Sequence, residues 1–468
     1  MPRAFYFYLV ILLEGYVVLA TELLAIRQLI PFVGSGTETI AIVIAAILMP
    51  LAVGYYAGGQ FKRRIVRGKL VTIREKLMRN IINAAGVLAI GLSYVLLEVF
   101  FPLLATLGIG HRVLQATVYS LVFLVYPVYL LGQTVPLISN YFSKQNLSHV
   151  TGKILFCSTI GSFLGSIFST LVLMTTIGVH NTIIVNMLLL MFAVLLLSRR
   201  WISFNTIGMA VILGGTALLN HNGMMQAFGV VSDNNYNIVA VHDVPGEKDT
   251  RLLVVNRSSA SKYSPEYNKR FGYITYLEKT FIYPLHPEAP KSILVIGTGG
   301  FTFGLEDKVN DYTYVDIDPS LKEVSEKYFL KQKLGKNKHF VPQPAEAFLN
   351  SSHQYYDLIL LDVYSNVRMI PFQLITEEFF AKIKSRLNDK GIMIFNAIAS
   401  PNFNDRFSVK LDNTLHRVFP NLNRQVLGNY NGWNDKPMEY NVLYSYFHRH
   451  GTSKGAYTDD LNTYFLDR

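Results

Sequence analysis

Cysteine, acidic residues and charge in general are scarce in this chain, and each scarcity excludes a class of protein. The single cysteine, Cys157, excludes an intrachain disulfide framework and any zinc site built from several cysteines. Charged residues make up 16% of the 468 residues, whereas soluble domains carry about 25%. Hydrophobic residues make up 50%, which is enough to bury a core. The chain is therefore neither an ordinary soluble protein nor a disordered one.

The basic excess lies almost wholly in the first half of the chain. The formal net charge is +11, of which residues 1–220 carry +10 and residues 221–468 carry +1. A nucleic-acid surface would need this charge on a soluble domain, so we expect no nucleic-acid partner. We also expect no metal, because the histidines of the second half lack ligand spacing.

Seven apolar runs in the first half are long enough to cross a bilayer, since a spanning helix needs about 20 residues. Their approximate bounds are 5–30, 38–60, 81–101, 113–138, 154–177, 180–197 and 202–219. The links on one side hold 13 basic residues, and the alternate links hold only Arg112. Basic loops stay in the cytoplasm. We therefore predict a lipid bilayer as partner, a cytoplasmic N-terminus and, after seven crossings, an outer location for the second half.

Two acids, Glu14 and Glu22, stand in the first apolar run, where ionisable groups are costly. They either pair structurally or bind a small cation. Gly161 and Gly165 are spaced four residues apart in a later run, which predicts close packing of helices within the bundle.

The second half alternates strands and helices, which predicts a parallel, doubly wound sheet. A β-hairpin of residues 236–243 and 251–256 and a helix over 265–283 precede it. The sequence therefore predicts three parts: a transmembrane helical domain over 1–220, the hairpin and linking helix over 221–285, and the α/β domain over 286–468.

The candidate binding and catalytic residues lie at three strand ends, because ligands of such sheets bind at the carboxyl ends of strands. Gly297, Gly299 and Gly300 make a tight turn after the first strand. Asp316 ends the second strand, where an acid usually accepts a ribose hydroxyl. Asp362 ends a buried strand, and a carboxylate there is costly unless it is used.

The order and spacing of four motifs resemble those of the spermidine synthases and their aminopropyltransferase relatives. The motifs are ILVIGTGGFTFG, YVDIDPSL, AEAFL and YDLILLDVYS. The first half is similar to the membrane segment of bacterial proteins in which this module is fused to a multi-span bundle. The resemblance implies an α-helical membrane bundle of about seven helices in the bacterial inner membrane. A Rossmann-like, methyltransferase-type spermidine synthase domain with an N-terminal β-hairpin follows.

The resemblance also implies a co-substrate and a reaction. Decarboxylated S-adenosylmethionine would be held by Gly297, Gly299, Gly300 and Asp316. Asp362 would accept a proton while an aminopropyl group passes to a small amine.

Three tyrosines, Tyr236, Tyr273 and Tyr364, are expected to line the amine pocket and to hydrogen-bond the substrate. Each of them can equally be a half-buried packing residue, and the sequence leaves both interpretations open.

The chain departs from the family pattern at five positions. Gly300 replaces an aspartate, and Phe301 replaces a glycine and is expected to narrow the donor pocket. Pro344 stands where an acid contacts adenine, Ser365 replaces a second acid, and Ile274 replaces a polar residue after Tyr273.

Two other hypotheses remain open from the sequence. A nucleotide-independent enzyme on the outer face would use Asp362, helped by Glu278 or Tyr273, for acid–base chemistry on the amino end of an exported peptide, for example glutaminyl cyclisation. A transporter or sensor of a small cation would instead depend on Glu14 and Glu22. The oligomeric state stays open.

Overall fold

The chain folds into two compact units that do not follow a single cut along the sequence. The computed structural model describes residues 3–62, 64–66, 69–142, 147–198, 200–266, 269–285, 289–366, 369–428 and 440–448. The first unit comprises Met1–Arg270, Ser320–Gln332 and Tyr364–Pro371, and the second comprises Phe271–Pro319, Lys333–Val363 and Phe372–Arg468. The predicted boundary at residue 286 lies outside the described residues.

Helices dominate the first unit. Their bounds are α1 Arg3–Val33, α2 Thr37–Gly59, α3 Ile73–Gly91, α4 Tyr94–Thr106, α5 Arg112–Ser120, α6 Tyr126–Gly132, α7 Thr134–Tyr141, α8 Leu147–Phe168, α9 Met174–Thr176, α10 Val179–Leu197, α11 Phe204–Asn220 and α12 Asn222–Ala227. Short π-helical segments at Leu121–Val125 and Ser169–Leu173 join α5 to α6 and α8 to α9. A small hairpin of β1 (Arg64–Val66) and β2 (Lys69–Val71) separates α2 from α3.

Five helical stretches of the described chain are long and apolar enough to cross a membrane. They are Phe5–Val33, Thr37–Gly59, Arg112–Tyr141, Ser148–Thr176 and Val179–Leu197. The third predicted run is broken: α3 and α4 pass the same criterion only as a pair, bent by 69°. The seventh run forms α11, a helix of 17 residues. The prediction of seven spans therefore stays a prediction.

Helices α1 and α8 approach each other closely through glycines. A Cβ added to Gly161 would lie 2.0 Å from the carbonyl oxygen of Leu12, and one added to Gly165 would lie 2.2 Å from that of Tyr16. Any side chain at these positions would push the helices apart. The spacing of the two glycines therefore serves packing inside the bundle.

A four-stranded antiparallel sheet follows the helices in the first unit. Its strands are β3 Val230–Asp233, β4 Ile238–Asp243, β5 Arg251–Val255 and β6 Ser258–Tyr263. The predicted hairpin corresponds to β4 and β5, with Val241 opposite Leu253. A helical turn at Leu321–Val324, continued as a π-helix over Ser325–Phe329, belongs to the same unit.

The second unit is built on a seven-stranded sheet. Its strands are β7 Ser292–Ile296, β8 Asp311–Asp316, β9 Lys338–Pro342, β10 Tyr356–Leu361, β11 Leu387–Ala399, β12 Asn423–Leu427 and β13 Tyr440–Phe447. The order is β12-β13-β11-β10-β7-β8-β9. The five strands from β11 to β9 are parallel, and β13 and β12 close the edge antiparallel. The chain leaves β7 toward β8 on one side and reaches β10 on the other, so the topological switch point lies between β7 and β10.

Helices accompany this sheet along the chain. They are Gly272–Leu277 with the π-helical Glu278–Ile282 and a 3₁₀ turn at Tyr283–Leu285, then Ala345–Ser351, a 3₁₀ turn at Phe372–Leu374, Glu377–Ser385 and Arg406–Val418. The predicted helix over 265–283 begins only at Gly272. The residues before it include Pro265, and Ser264 and Lys269 form an antiparallel bridge in place of helical hydrogen bonds.

Candidate active site

The turn after β7 brings two strand ends together. Gly297 has φ +86°, and a Cβ added there would lie 2.2 Å from the carbonyl oxygen of Asp362. The backbone N–H of Asp362 donates to Ile296 O at 2.9 Å. Only glycine fits both the left-handed conformation and the close approach. The carboxyl ends of β7 and β10 are therefore in backbone contact at the switch point.

Asp362 is the first residue after β10 and is partly exposed. Its Oδ2 accepts a hydrogen bond from the hydroxyl of Tyr273 at 2.8 Å, and its Oδ1 accepts one from Nδ2 of Asn396 at 3.0 Å. Burial raises the pKa of Asp362 to about 6, while the two hydrogen bonds act in the opposite direction. The group is therefore ionised at neutral pH and more basic than an ordinary aspartate.

Asn396 was not among the residues expected at the site. It lies in β11, which is parallel to β10, and its side chain reaches the same strand end as Asp362. The sequence does carry a signal: Asn396 is a single amide in the otherwise apolar stretch from 392 to 399. A polar side chain in a buried strand needs a partner.

Asp316 is the last residue of β8. Its Oδ2 accepts from the backbone N–H of Thr298 at 3.1 Å, and its Oδ1 accepts from that of Asp318 at 3.2 Å. Burial raises the pKa of Asp316 to about 6. A carboxylate offers about four lone-pair positions, so the acid is fixed by the backbone and retains capacity for hydroxyl donors.

The aromatic side chain of Phe301 does not narrow a pocket, contrary to the expectation from sequence. It follows Gly299 and the buried Gly300 with φ +59°, an uncommon conformation for a residue with a side chain. The ring is 0% exposed and packs edge to face against Tyr314 and Phe340, with centroid distances of 5.1 and 5.4 Å. The positive φ turns the side chain into the core.

Glu278 is buried and holds the glycine-rich segment. Its Oε1 accepts a hydrogen bond of 2.7 Å from the backbone N–H of Gly304. Gly304 has φ +71°, and an added Cβ would lie 2.3 Å from the ring of Tyr312. The contact observed for Glu278 is therefore structural, and a direct part in catalysis stays a prediction.

The remaining two tyrosines belong to the first unit. Tyr236 lies in the turn between β3 and β4, and its backbone N–H donates to Oδ1 of Asn234 at 2.8 Å. Tyr364 is partly exposed and follows Asp362 by two residues in the chain. Their roles in lining an amine pocket stay predictions.

Within the residues that the structure describes, no three His, Cys, Asp or Glu side chains are grouped so as to hold a metal ion.

Comparison with known proteins shows what the central part of the second half is similar to. Residues 278–427 match the spermine/spermidine synthase domain. The chain is 28% identical over 162 residues to a probable polyamine aminopropyl transferase of Bifidobacterium longum, covering 32% of this chain and 33% of that protein. It is 32% identical over 139 residues to a polyamine aminopropyltransferase of Saccharolobus solfataricus, covering 28% and 46%. The chain thus spans a third to a half of the length of these two relatives.

Solved structures give matches of the same kind. A probable spermidine synthase from Corynebacterium glutamicum matches with a TM-score of 0.40 and 18% identity, over 47% of this chain and 80% of that one. The spermidine synthase of Thermotoga maritima matches with a TM-score of 0.35 and 17% identity, over 47% and 72%. On the sequence matches, the C-terminal part of the chain is a spermidine synthase domain. It follows an N-terminal helical region in the same polypeptide.

Proposed function

We propose that the protein is a membrane-integrated transferase that alkylates an amine with an aminopropyl group. The observation that carries the proposal is the contact of Asp362 with Tyr273 and Asn396 at the switch point, beside the turn at Gly297. A base at this place, with a pKa of about 6, suits the removal of a proton from an amine that becomes strongly acidic as it is alkylated.

The chain's residues would act as follows. Asp362 accepts the proton from the attacking nitrogen while the N–C bond forms and the C–S bond of the sulfonium donor breaks, leaving a neutral thioether. Tyr273 and Asn396 fix the two carboxylate oxygens, so that one lone pair faces the substrate without rotation of the side chain. Positioning of the amine against the donor supplies most of the rate enhancement, since the sulfonium already provides a good leaving group.

The residues present fit part of the donor, decarboxylated S-adenosylmethionine. Asp316 can accept ribose hydroxyls, and the backbone of the turn at Gly297–Gly300 can approach a ligand closely. Pro344 precedes the helix Ala345–Ser351 and offers no side-chain acceptor to an adenine amino group. Decarboxylated S-adenosylmethionine would supply the aminopropyl group and would depend chiefly on Asp316 for recognition.

The acceptor is proposed to be a small amine with little charge beyond its reacting nitrogen. A polyamine needs several carboxylates to offset the desolvation of its ammonium groups. Ile274 is buried, and the Ser365 hydroxyl donates to the carbonyl of Met369 at 3.0 Å, so neither position supplies such a carboxylate.

Membrane integration is supported by the surface of the helical unit. Helix α2 exposes Leu48 and Met49, and α8 exposes Phe156 and Phe163. Soluble monomers rarely present such continuous apolar faces to water. Trp201, between α10 and α11, is 88% exposed, and tryptophan is enriched at the level of lipid headgroups.

The test uses the full chain, purified in detergent or in lipid nanodiscs. Decarboxylated S-adenosylmethionine is offered with propylamine, putrescine, spermidine or a peptide with a free amino end, and methylthioadenosine and alkylated amine are measured by mass spectrometry. We expect transfer by the wild type, none by Asp362→Asn, and wild-type transfer by the control Asp311→Asn, which makes the same change at an exposed strand start. Absence of donor binding and transfer in the wild type would refute the proposal.

A further inference from the structure

Two segments that follow the carboxylates of the site belong to the helical unit. Ser320–Gln332 begins four residues after Asp316, and Tyr364–Pro371 begins two residues after Asp362. By their contacts both segments group with the first unit and not with the sheet from which the chain has just emerged. The first unit therefore determines where the chain after each carboxylate is held.

A side chain of strand β3 and one of the turn that follows it hold the first segment at Ser320. The hydroxyl of Ser232 donates to Oγ of Ser320 at 3.0 Å, and Nδ2 of Asn234 donates to the same oxygen at 3.2 Å. The Oδ1 of Asn234 accepts the backbone N–H groups of Tyr236 and Asn237 at 2.8 and 3.0 Å. The orientation of the Asn234 amide is thus set by its own turn.

Helix α1 reaches this turn through Arg27, which is 4% exposed. Its Nε donates to the carbonyl oxygen of Asn234 at 2.7 Å, and its Nη2 lies 3.4 Å from Oδ1 of Asp233. The other oxygen of Asp233 accepts the backbone N–H of His180, on α10, at 3.2 Å. A buried carboxylate held by two helices and a guanidinium on the adjacent carbonyl fix the turn to the bundle.

The second segment is held by the same group of residues. Nδ2 of Asn256, a buried residue in the β5–β6 turn, donates to Asn237 Oδ1 at 2.7 Å and to the carbonyl of Ser365 at 2.9 Å. At the end of α1, a Cβ added to Gly34 would lie 3.1 Å from Nδ2 of Asn366, so this loop packs directly on the helix end.

We propose that Arg27, Asn234 and Asn256 are positioning residues, through which helix α1 sets the order of the two chain segments that follow Asp316 and Asp362. The helical unit then contributes to the activity of the enzyme as well as to its attachment to the membrane. Loss of order at Ser320 would affect donor recognition four residues earlier in the chain at Asp316, and loss of order at Ser365 would affect base placement three residues earlier at Asp362. The effect on turnover rests on the proposed transfer reaction, whereas the mechanical coupling does not.

The experiment measures amide hydrogen exchange by mass spectrometry on the full chain in nanodiscs. Loss of one hydrogen bond of the network, typically about 1 kcal/mol, corresponds to about fivefold faster exchange where that bond limits opening. Asn234→Ala should have this effect in peptides spanning 316–321, and Asn256→Ala in peptides spanning 363–366. The control Asn140→Ala, which removes an amide bonded to Gly59 on α2, should leave both peptides unchanged.

Arg27 needs a charge-balanced variant, because removing it alone leaves the buried Asp233 with only the His180 ring, 3.1 Å from its Oδ2, as an ionisable partner. The double variant Arg27→Gln with Asp233→Asn should fold and should speed exchange in both peptides. Unchanged exchange in this double variant and in the two asparagine variants, at wild-type melting temperatures, would overturn the coupling. Where transfer is measured, Asn234→Ala should raise the KM for the donor, and Asn256→Ala should lower kcat. Faster exchange in a protein without transfer activity would support the coupling and refute the proposed function.

Discussion

The hydroxyl of Tyr273 donates a 2.8 Å hydrogen bond to Oδ2 of Asp362, across 89 positions of sequence. The helix Gly272–Leu277 presents the tyrosine, and the end of β10 presents the aspartate. A phenol hydrogen bond stabilises the ionised carboxylate and opposes the rise in pKa caused by burial. Tyr273 therefore tunes the base as well as orienting it.

The first prediction concerns the pH dependence of turnover. Only ionised Asp362 can accept a proton, so kcat/KM for the donor, measured at a constant saturating concentration of unprotonated amine, should rise with pH and level off above an apparent pKa of about 6. Tyr273→Phe removes a group that lowers this pKa, so the low-pH rise of the rate profile (the acid limb) should shift to higher pH. The control is Tyr276→Phe, one turn along the same helix, where the hydroxyl bonds Gln425. An unshifted limb in Tyr273→Phe would contradict the assigned role.

The second prediction concerns stability. The pKa of Asp362 is raised from 3.8 to about 6 in the folded protein, so the folded state binds this proton more tightly than the unfolded state. The contribution of this group to the free energy of unfolding is then fully present below about pH 4 and is lost as pH rises through about 6. Asp362→Asn removes this cost and should melt at a higher temperature than the wild type at pH 7.5, but not at pH 4. A melting temperature lowered at pH 7.5 but not at pH 4 would contradict this and show that the ionised carboxylate is stabilising.

The third prediction distinguishes a structural role of Glu278 from a catalytic one. Glutamine keeps an acceptor for the N–H of Gly304, whereas alanine leaves that buried donor without its partner, at a cost of about 1–3 kcal/mol. Glu278→Gln should therefore retain activity and melting temperature, and Glu278→Ala should lose both. Loss of activity in Glu278→Gln, with an unchanged melting temperature, would indicate a catalytic carboxyl.

The fourth prediction follows from the conformation of Phe301. Removing a fully buried ring costs about 3–5 kcal/mol, and the residue sits at φ +59°, where glycine is favoured by about 1 kcal/mol or more. Phe301→Ala should thus lower the melting temperature more than Phe301→Gly, the reverse of the usual order. Neither variant should tighten donor binding, because the ring lies in the core; tighter binding would restore the expectation from sequence.

The sequence predicts the strand ends well because a parallel sheet gathers them at one edge. Gly297, Asp316 and Asp362 each follow or end an apolar run, and this local pattern is sufficient to place them. Tyr273 and Asn396 reach Asp362 through tertiary packing from distant elements. Periodicity carries no information about such contacts.

The sequence pattern also does not predict side-chain directions that depend on a single backbone angle. The direction of the Phe301 ring depends on a positive φ that no propensity would assign to phenylalanine. Hydropathy likewise records the apolar character of α3 and α4, but not the 69° bend between them. The bend is accompanied by a hydrogen bond of 2.6 Å from the Ser93 hydroxyl to Ala89 O. The number of apolar runs therefore does not by itself determine how many times the chain crosses the membrane.

The last prediction concerns membrane orientation, which depends on whether α11 crosses. Its 17 residues extend about 26 Å at 1.5 Å per residue, slightly less than a hydrocarbon core of about 30 Å. Helix α11 exposes apolar Ile207, Val211 and Leu218. The basic links predict that the turn at Arg200–Trp201 is cytoplasmic. We therefore expect α11 to cross and to deliver the spermidine synthase domain to the outer face.

Paired reporters measure this directly. Green fluorescent protein should fluoresce when fused after Trp201 and stay dark when fused after residue 468, and alkaline phosphatase should show the opposite pattern. If both fusions report the cytoplasm, α11 lies along the membrane surface, and the domain has direct access to cytosolic nucleotides. If the final fusion reports the outer face, the donor must be supplied on that side. Transfer assays on intact cells with added decarboxylated S-adenosylmethionine would then succeed without permeabilisation.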